Sequence, residues 1–254
     1  MDIIDTHCHL DVEDFNADRE QVIGDCRLAG VTRMVVPAID AHGWDSIRRL
    51  CDNHPGLLPA YGLHPVYINM HTPAQLDGLS DWLTRHRPIA VGEVGLDYYV
   101  KGLDRDRQQW FFERQLQMAK DHDLPVLLHS RKAHDPVIAA LKRSGVCGGI
   151  AHAFNGSLQQ ARQYIKLGFK LGFGGTLTYA RANHIHQLAR ELPLDAIVLE
   201  TDAPDMPGAA YRGQRNSPCY LPEYLHALAV LRDMEPATVA AQTTANAARV
   251  LGLL

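Results

Sequence analysis

The chain has 254 residues, 46% of them hydrophobic, and a formal net charge of -4. That length buries one large core, and a single α/β barrel of about 250 residues fits it as well as two smaller domains do; one domain over residues 1–254 is the expected organisation. The acidic balance excludes a surface coated by nucleic acid, although a short strand could still reach a locally basic cleft.

Short apolar runs alternate with longer amphipathic ones, the pattern of repeated βα units. In chain order the spacing predicts strands over residues 3–9, 33–39, 58–64, 89–96, 126–129, 148–154, 169–174 and 197–201. Helices are predicted between them over 19–29, 45–53, 74–85, 106–122, 136–143, 158–167, 183–191 and 223–232, with a further helix over 236–251 packed outside the repeat. Gly30, Gly145 and Gly168 follow helical runs, where a left-handed residue costs glycine least. Ser157 stands as an N-cap and Pro136 as a first-turn proline. Eight strands with eight crossover helices favour an α/β fold of the (β/α)8 TIM-barrel type over an open doubly wound sheet.

The five cysteines, Cys8, Cys26, Cys51, Cys147 and Cys219, are scattered, odd in number and form no Cys-x-x-Cys pair, which points to a reducing compartment. The start Met1-Asp2-Ile3-Ile4-Asp5 is acidic where a secretory signal needs a basic start, and no run of 18 apolar residues occurs. A cytoplasmic protein with no membrane association and no obligate protein partner is expected.

Metal-seeking side chains cluster near the predicted strand ends: His7-Cys8-His9, His64, Glu93, His129, His152 and Asp202. In a barrel those ends converge on one mouth, where active sites form. Residues two apart on a strand share a face, so His7 and His9 point together and Cys8 points away. Such a pair could simply bond a carbonyl or carboxylate; equally, histidine is the commonest metal ligand near neutrality. Asp5, on the same face, could orient one imidazole. Glu93 lies in an apolar run, where a charge needs a partner: either an arginine or a pair of cations. A glutamate bridging two cations would hold them about 3.5–4 Å apart.

His129 and His152 then serve the second ion, and Asp202 can both ligate and take the proton of an attacking water. As alternatives, the two histidines could be hydrogen-bonded barrel residues and Asp202 a turn aspartate. His64 and Arg131 are expected to contact a phosphate, Arg131 through paired hydrogen bonds, or else to be a structural histidine and a surface arginine. Glu200 is expected to point into the helical layer or to pair locally, with no ligand role. His134 lies near the mouth, whereas His42, His54, His71, His86, His122, His184, His186 and His226 are expected to be solvated or at edges. The cluster Gly172-Phe173-Gly174-Gly175 matches no phosphate-binding fingerprint; it is expected to let the seventh strand and its loop pass close to a ligand.

The stretches Ile4-Asp5-Thr6-His7-Cys8-His9-Leu10, Gly62-Leu63-His64-Pro65, Val91-Gly92-Glu93-Val94-Gly95-Leu96-Asp97, Leu128-His129-Ser130-Arg131, His152-Ala153-Phe154-Asn155-Gly156-Ser157 and Leu199-Glu200-Thr201-Asp202-Ala203-Pro204, with the tail 244–251, resemble the TatD family of metal-dependent deoxyribonucleases among the amidohydrolase-like barrels. The segments 174–179 and 205–215 look most like its YjjV-type bacterial subgroup. The resemblance implies ligand roles for His7, His9, Glu93, His129, His152 and Asp202, a (β/α)8 barrel, and hydrolysis of DNA phosphodiesters with 3′-to-5′ exonuclease action among members.

The expected function is therefore a two-metal hydrolase, a deoxyribonuclease acting on single-stranded or frayed 3′ ends of DNA. Asp202, Glu93 and His64 carry the chemistry, and His64 and Arg131 bind substrate. Mixed imidazole and carboxylate donors suit Mn or Zn, whereas Mg, which the resemblance implies, prefers oxygen. Lys101, Arg105, Arg131, Lys132, Arg181, Arg212 and Arg215 could rim the mouth, with Tyr98, Tyr99 and Tyr179 for base stacking. The alternatives are a hydrolase of a small amide, lactone or phosphoester, and a non-catalytic barrel that only binds.

Overall fold

The apolar runs become eight parallel strands in a computed structural model that describes residues 2–254. Met1, where the expected domain begins, lies outside the described residues. The strands are β1 (Ile3–Asp5), β2 (Val31–Pro37), β3 (Leu57–Tyr61), β4 (Ala90–Asp97), β5 (Val126–Arg131), β6 (Gly149–Ala151), β7 (Phe169–Phe173) and β8 (Ile197–Leu199), each paired with the next in chain order. The crossovers are α1 (Arg19–Leu28), α2 (Trp44–Asn53), α3 (Pro73–His86), α4 (Arg105–Asp121), α5 (His134–Ser144), α6 (Leu158–Lys166), α7 (Asn183–Glu191) and α8 (Leu221–Leu231), followed by α9 (Pro236–Val250). The TIM-barrel expectation holds, and no helix among the described residues is long and apolar enough to cross a membrane.

Local chemistry sets the helix ends as expected. Ser157 caps α6, and with Gln160 it forms a reciprocal capping box. At the close of α5, Gly145 takes φ 67°. Two apolar layers fill the structure. The larger lies between strands and helices, and the smaller fills the floor of the barrel with Ile4, Val35, Ala60, Leu127, Ile150 and Val198. The expectation that α9 packs outside the repeat needs refinement, because its Ala247 and Ala248, with Leu251 just beyond, close this floor from below.

No strand ladder pairs β8 with β1 among the described residues, so the barrel closes by other hydrogen bonds. Thr6 N–H donates to Leu199 O at 3.0 Å, Asp202 N–H to His7 O at 2.8 Å, and His9 N–H to Ala203 O at 2.7 Å. Asp5 is buried in this seam and accepts from His7 N–H at 3.1 Å, Thr201 N–H at 3.0 Å and the Thr201 hydroxyl at 2.6 Å. Its bonds go to the seam, and none goes to an imidazole, correcting the expectation that Asp5 orients one. Burial raises its pKa to about 8.

Several strands stop earlier than their apolar runs suggest. His7, His9, His64, His152 and Asp202 lie just past β1, β3, β6 and β8, while His129 lies within β5 and Glu93 lies four residues short of the end of β4. The backbone still follows its neighbours, through Cys8 N–H to Val35 O at 3.0 Å and His152 N–H to Leu128 O at 3.1 Å. The regular ladder breaks where the chain turns its polar side chains inward. Thr201→Val would leave a buried Asp5 oxygen without a donor, so chemical denaturation should show unfolding stability reduced by about 1–3 kcal/mol.

Candidate metal centre

Glu93 sits at the centre of the barrel mouth, 1% exposed. In β4 all eight residues are buried, and an extra residue between Val91 and Val94 shifts the register against β5. Such a bulge re-aims a side chain. At Gly95, φ is 151° and a Cβ would collide with the His129 carbonyl, so only glycine lets β4 and β5 approach this closely.

The two carboxylate oxygens of Glu93 face different imidazoles. Oε2 lies 3.1 Å from His7 Nε2 and 3.4 Å from His9 Nε2. Oε1 lies 3.0 Å from His129 Nδ1, 3.2 Å from His152 Nε2 and 3.3 Å from His64 Nε2. Asp202 Oδ1 completes the first group, 3.7 Å from His7 Nε2 and 3.8 Å from His9 Nε2. The structure thus gathers all six expected ligands and His64 at one mouth. Asp202 reaches it from a left-handed turn with φ 58°, a conformation that aspartate tolerates better than most residues.

Hydrogen bonds at the far ring nitrogens set the tautomers. His9 Nδ1 lies 3.2 Å from Pro37 O and donates to it, so in the neutral ring the Nε2 lone pair faces Glu93. His129 Nε2 donates to Asp97 Oδ2 at 3.1 Å, leaving its Nδ1 lone pair inward. His64 is the reverse case: its Nδ1 accepts Val66 N–H at 3.2 Å, so the neutral ring carries its proton on the inward Nε2. Burial holds His64 down to about 4 and His7 down to about 3, so both are neutral near pH 7.

This donor set fits divalent cations. Four ligands at zinc distances around one tetrahedral cation are about 3.4 Å apart, and the histidine-to-carboxylate separations in the group of His7, His9, Asp202 and Glu93 Oε2 run from 3.1 to 3.8 Å. His7 and His152 stack with centroids 4.0 Å apart, and each has a buried Nδ1 without a hydrogen-bond partner. Stacked imidazoles cannot both be protonated cheaply, whereas lone pairs aimed at a cation are compatible with such packing. Burial works against ionisation of Glu93, but His64, His7 and His152 around it hold its pKa well below the usual carboxylate range.

Three supporting residues were not assigned from the sequence. Asp97 anchors His129 and accepts from Tyr99 N–H and Val100 N–H at 2.8 and 2.9 Å. Its place four residues after Glu93, at the end of a buried strand, was the available signal. Glu200 is a correction: it lies buried inside, bonded to Ala153 N–H and 3.7 Å from His152 Nδ1. A Cβ on Gly172 would strike its carboxylate, so this glycine makes room for Glu200 and not, as expected, for a ligand. The two-residue spacing from Asp202 pointed to a shared face. His71, expected at an edge, is buried behind His64 and donates from Nε2 to the His64 carbonyl at 2.9 Å.

A cavity of about 770 Å³ opens over Glu93, lined by His9, His64, Tyr67, Arg131, Asn155 and Asp205 among others. Arg131 lies 3.9 Å over the ring of Tyr99, has no carboxylate partner among the described residues, and faces this cavity. Other expected rim groups are engaged elsewhere: Arg215 pairs with Asp18 at 2.6 Å, Arg105 covers Tyr98, and Tyr179 donates its hydroxyl to Pro207 O at 2.9 Å. His134 donates from Nε2 to Asn155 Oδ1 at 3.1 Å, which fixes an amide on the cavity wall.

Because Asp97 orients His129, Asp97→Asn should weaken metal binding by about 10–100-fold in a calorimetric titration while leaving the fold intact. Burial also raises Asp202 to about 6. Its ligand form is the ionised one, so metal retained on dialysis should fall as pH drops through about 6 and be kept at pH 8.

Residues 4–252 match the family model described as TatD related DNase. The chain is 42% identical over 246 residues to the uncharacterized metal-dependent hydrolase YjjV of Escherichia coli K12, covering 96% of this chain and 95% of that protein. It is 31% identical over 261 residues to the 3′-5′ ssDNA/RNA exonuclease TatD of a Pantoea strain, covering 99% of this chain and all of that protein. The crystal structure of E. coli YjjV superposes with a TM-score of 0.94 at 39% identity, over 98% of this chain and 97% of that one. The chain belongs to the TatD family of metal-dependent hydrolases.

Proposed function

We propose that this chain, acting as one domain over residues 1–254, is a two-metal phosphodiesterase that trims single-stranded or frayed 3′ ends of DNA. One observation carries the reading: the two oxygens of a single buried carboxylate, Glu93, face separate sets of imidazoles. His7, His9 and Asp202 would hold one divalent cation, His129 and His152 the other, with Glu93 shared. Such cations, whether Mg, Mn or Zn, supply Lewis acidity and lower the pKa of water from about 15.7 toward about 7.

The protein groups divide the remaining work. Asp202 stands at the edge of the cluster with its side chain 15% exposed, so its carboxylate can receive the proton of the attacking water. The Nε2 proton of His64 points inward as a donor to a phosphate oxygen or the departing oxygen. Arg131, held over Tyr99, grips the phosphate, and the exposed rings of Tyr99 and Tyr67 offer faces on which terminal bases stack. A nucleic-acid substrate is supported by the names of the family, a DNase, and of the Pantoea relative, an ssDNA/RNA exonuclease. A reducing, cytoplasmic setting accords with five free cysteines.

A second reading, hydrolysis of a small amide, lactone or phosphoester, is favoured by the acidic wall: Asp14 and Asp205 line the cavity, where Arg131 is the only lysine or arginine. Metal-loaded protein should be given end-labelled single-stranded DNA beside a panel of such small esters and amides. Stepwise shortening from the 3′ end is expected; turnover of the small molecules with DNA untouched would select the second reading. Glu93→Ala should lose at least about 10³-fold in activity and release metal while circular dichroism shows an intact barrel, and wild-type turnover in that variant would exclude the shared-carboxylate assignment. Chelation should abolish activity, and adding back Mn or Zn should restore more of it than Mg at equal concentration.

A further inference from the structure

Cys26 and Cys219 stand 193 residues apart in the chain, belong to no spacing motif, and meet with their sulfurs 2.9 Å apart. Cys26 lies buried on the inner side of α1, and Cys219 lies half-buried in the turn Pro218–Tyr220 that leads into α8. A disulfide needs about 2.05 Å between sulfurs, so the pair has to close by less than about 1 Å. No other cysteine is hydrogen-bonded to a second thiol, and burial pushes up the pKa values of Cys8, Cys51 and Cys147.

We infer that Cys26 and Cys219 form a reversible dithiol–disulfide couple, oxidised by peroxide, that fastens the segment after β8 to α1. The geometry divides the roles. Cys26 is fully buried with its sulfur 2.9 Å from that of Cys219, and Cys219 is accessible enough to meet a small oxidant. The thiol–thiol hydrogen bond lowers the pKa of Cys219 and, with burial, raises that of Cys26. The Cys219 thiolate attacks one oxygen of hydrogen peroxide. The O–O bond breaks, an S–O bond forms, and the departing hydroxide takes up the proton that Cys219 released on ionising, giving the first water. Cys26 sulfur then attacks Cys219 sulfur; the S–O bond breaks, the S–S bond forms, and the departing hydroxyl takes the Cys26 proton away as water. Two thiols lose two electrons, and one peroxide becomes two waters.

The cross-link would act on a segment already tied to the mouth. Asn216, three residues before Cys219, donates its amide to Thr201 O at 2.8 Å and Asp205 O at 2.7 Å, the two ends of the turn that carries Asp202. Arg215 joins the same segment to Asp18 beside α1. A disulfide would add a covalent tie between elements already in contact, so the mouth keeps its shape and the segment opens less readily.

Metal-loaded full-length protein treated with a small excess of hydrogen peroxide should fall from five free thiols to three, and dithiothreitol should restore all five. Non-reducing peptide mapping by mass spectrometry should find the Cys26 and Cys219 peptides joined with the loss of two hydrogens. Cys219→Ser should keep its remaining thiols under the same dose, and the oxidised wild type should unfold at a higher temperature than the reduced form. Unjoined Cys26 and Cys219 peptides in treated wild type, whether still reduced or carried on to sulfinic acid, would overturn the proposal, as would first oxidation at exposed Cys147. The mapping is made on the natural chain, so its outcome does not depend on any variant folding.

Discussion

A single carboxylate buried among five imidazoles is the constraint to which the mouth of this barrel answers. Glu93 has almost no contact with solvent, and His7, His9, His64, His129 and His152 all stand within 3.4 Å of one of its oxygens. Such a charge is tolerated only if its neighbours present protons or cations to it. The barrel supplies the means: parallel strands all open at the same end, and the strands with the segments that follow them turn polar groups toward the axis.

Around this centre lie hydrogen bonds that decide which nitrogen of His9, His64 and His129 is available. Pro37 O and Asp97 take the outer protons of His9 and His129, whereas Val66 N–H fills the outer lone pair of His64. Three chemically identical side chains thereby acquire two jobs, lone-pair donor or proton donor. The chemistry rests on these outer contacts as much as on the inner ones.

The seam between β8 and β1 links this arrangement to the fold. The first and last strands bear His7, His9 and Asp202 just past their ends, and no regular ladder holds them side by side. Asp5, Thr6 and Thr201 do so with side-chain and backbone bonds. The closure of the barrel and the placement of His7, His9 and Asp202 in the candidate metal centre therefore rest on the same set of contacts.

Much of this was legible in the chain itself. Period-two and period-3.6 patterns marked eight βα repeats, and the rarity of charge in apolar runs singled out Glu93, because both depend on local side-chain chemistry. Strand ends were less legible: an apolar run through residue 9 or 154 reads as strand, although the regular ladder stops at Asp5 and Ala151 and only single backbone bonds continue beyond them. Asp5 was misread because a carboxylate below two histidines does not reveal whether it bonds rings or backbone. Glu200 was misread because its partner, Ala153, follows a strand two places away in the sheet and 47 residues away in the chain. Sequence alone determined the residue types and their placement near strand ends, which periodicity can carry. Tertiary structure alone decided which oxygen of Glu93 meets which ring, which nitrogens face inward, and that Cys26 touches Cys219, because each depends on distances between residues far apart in the chain.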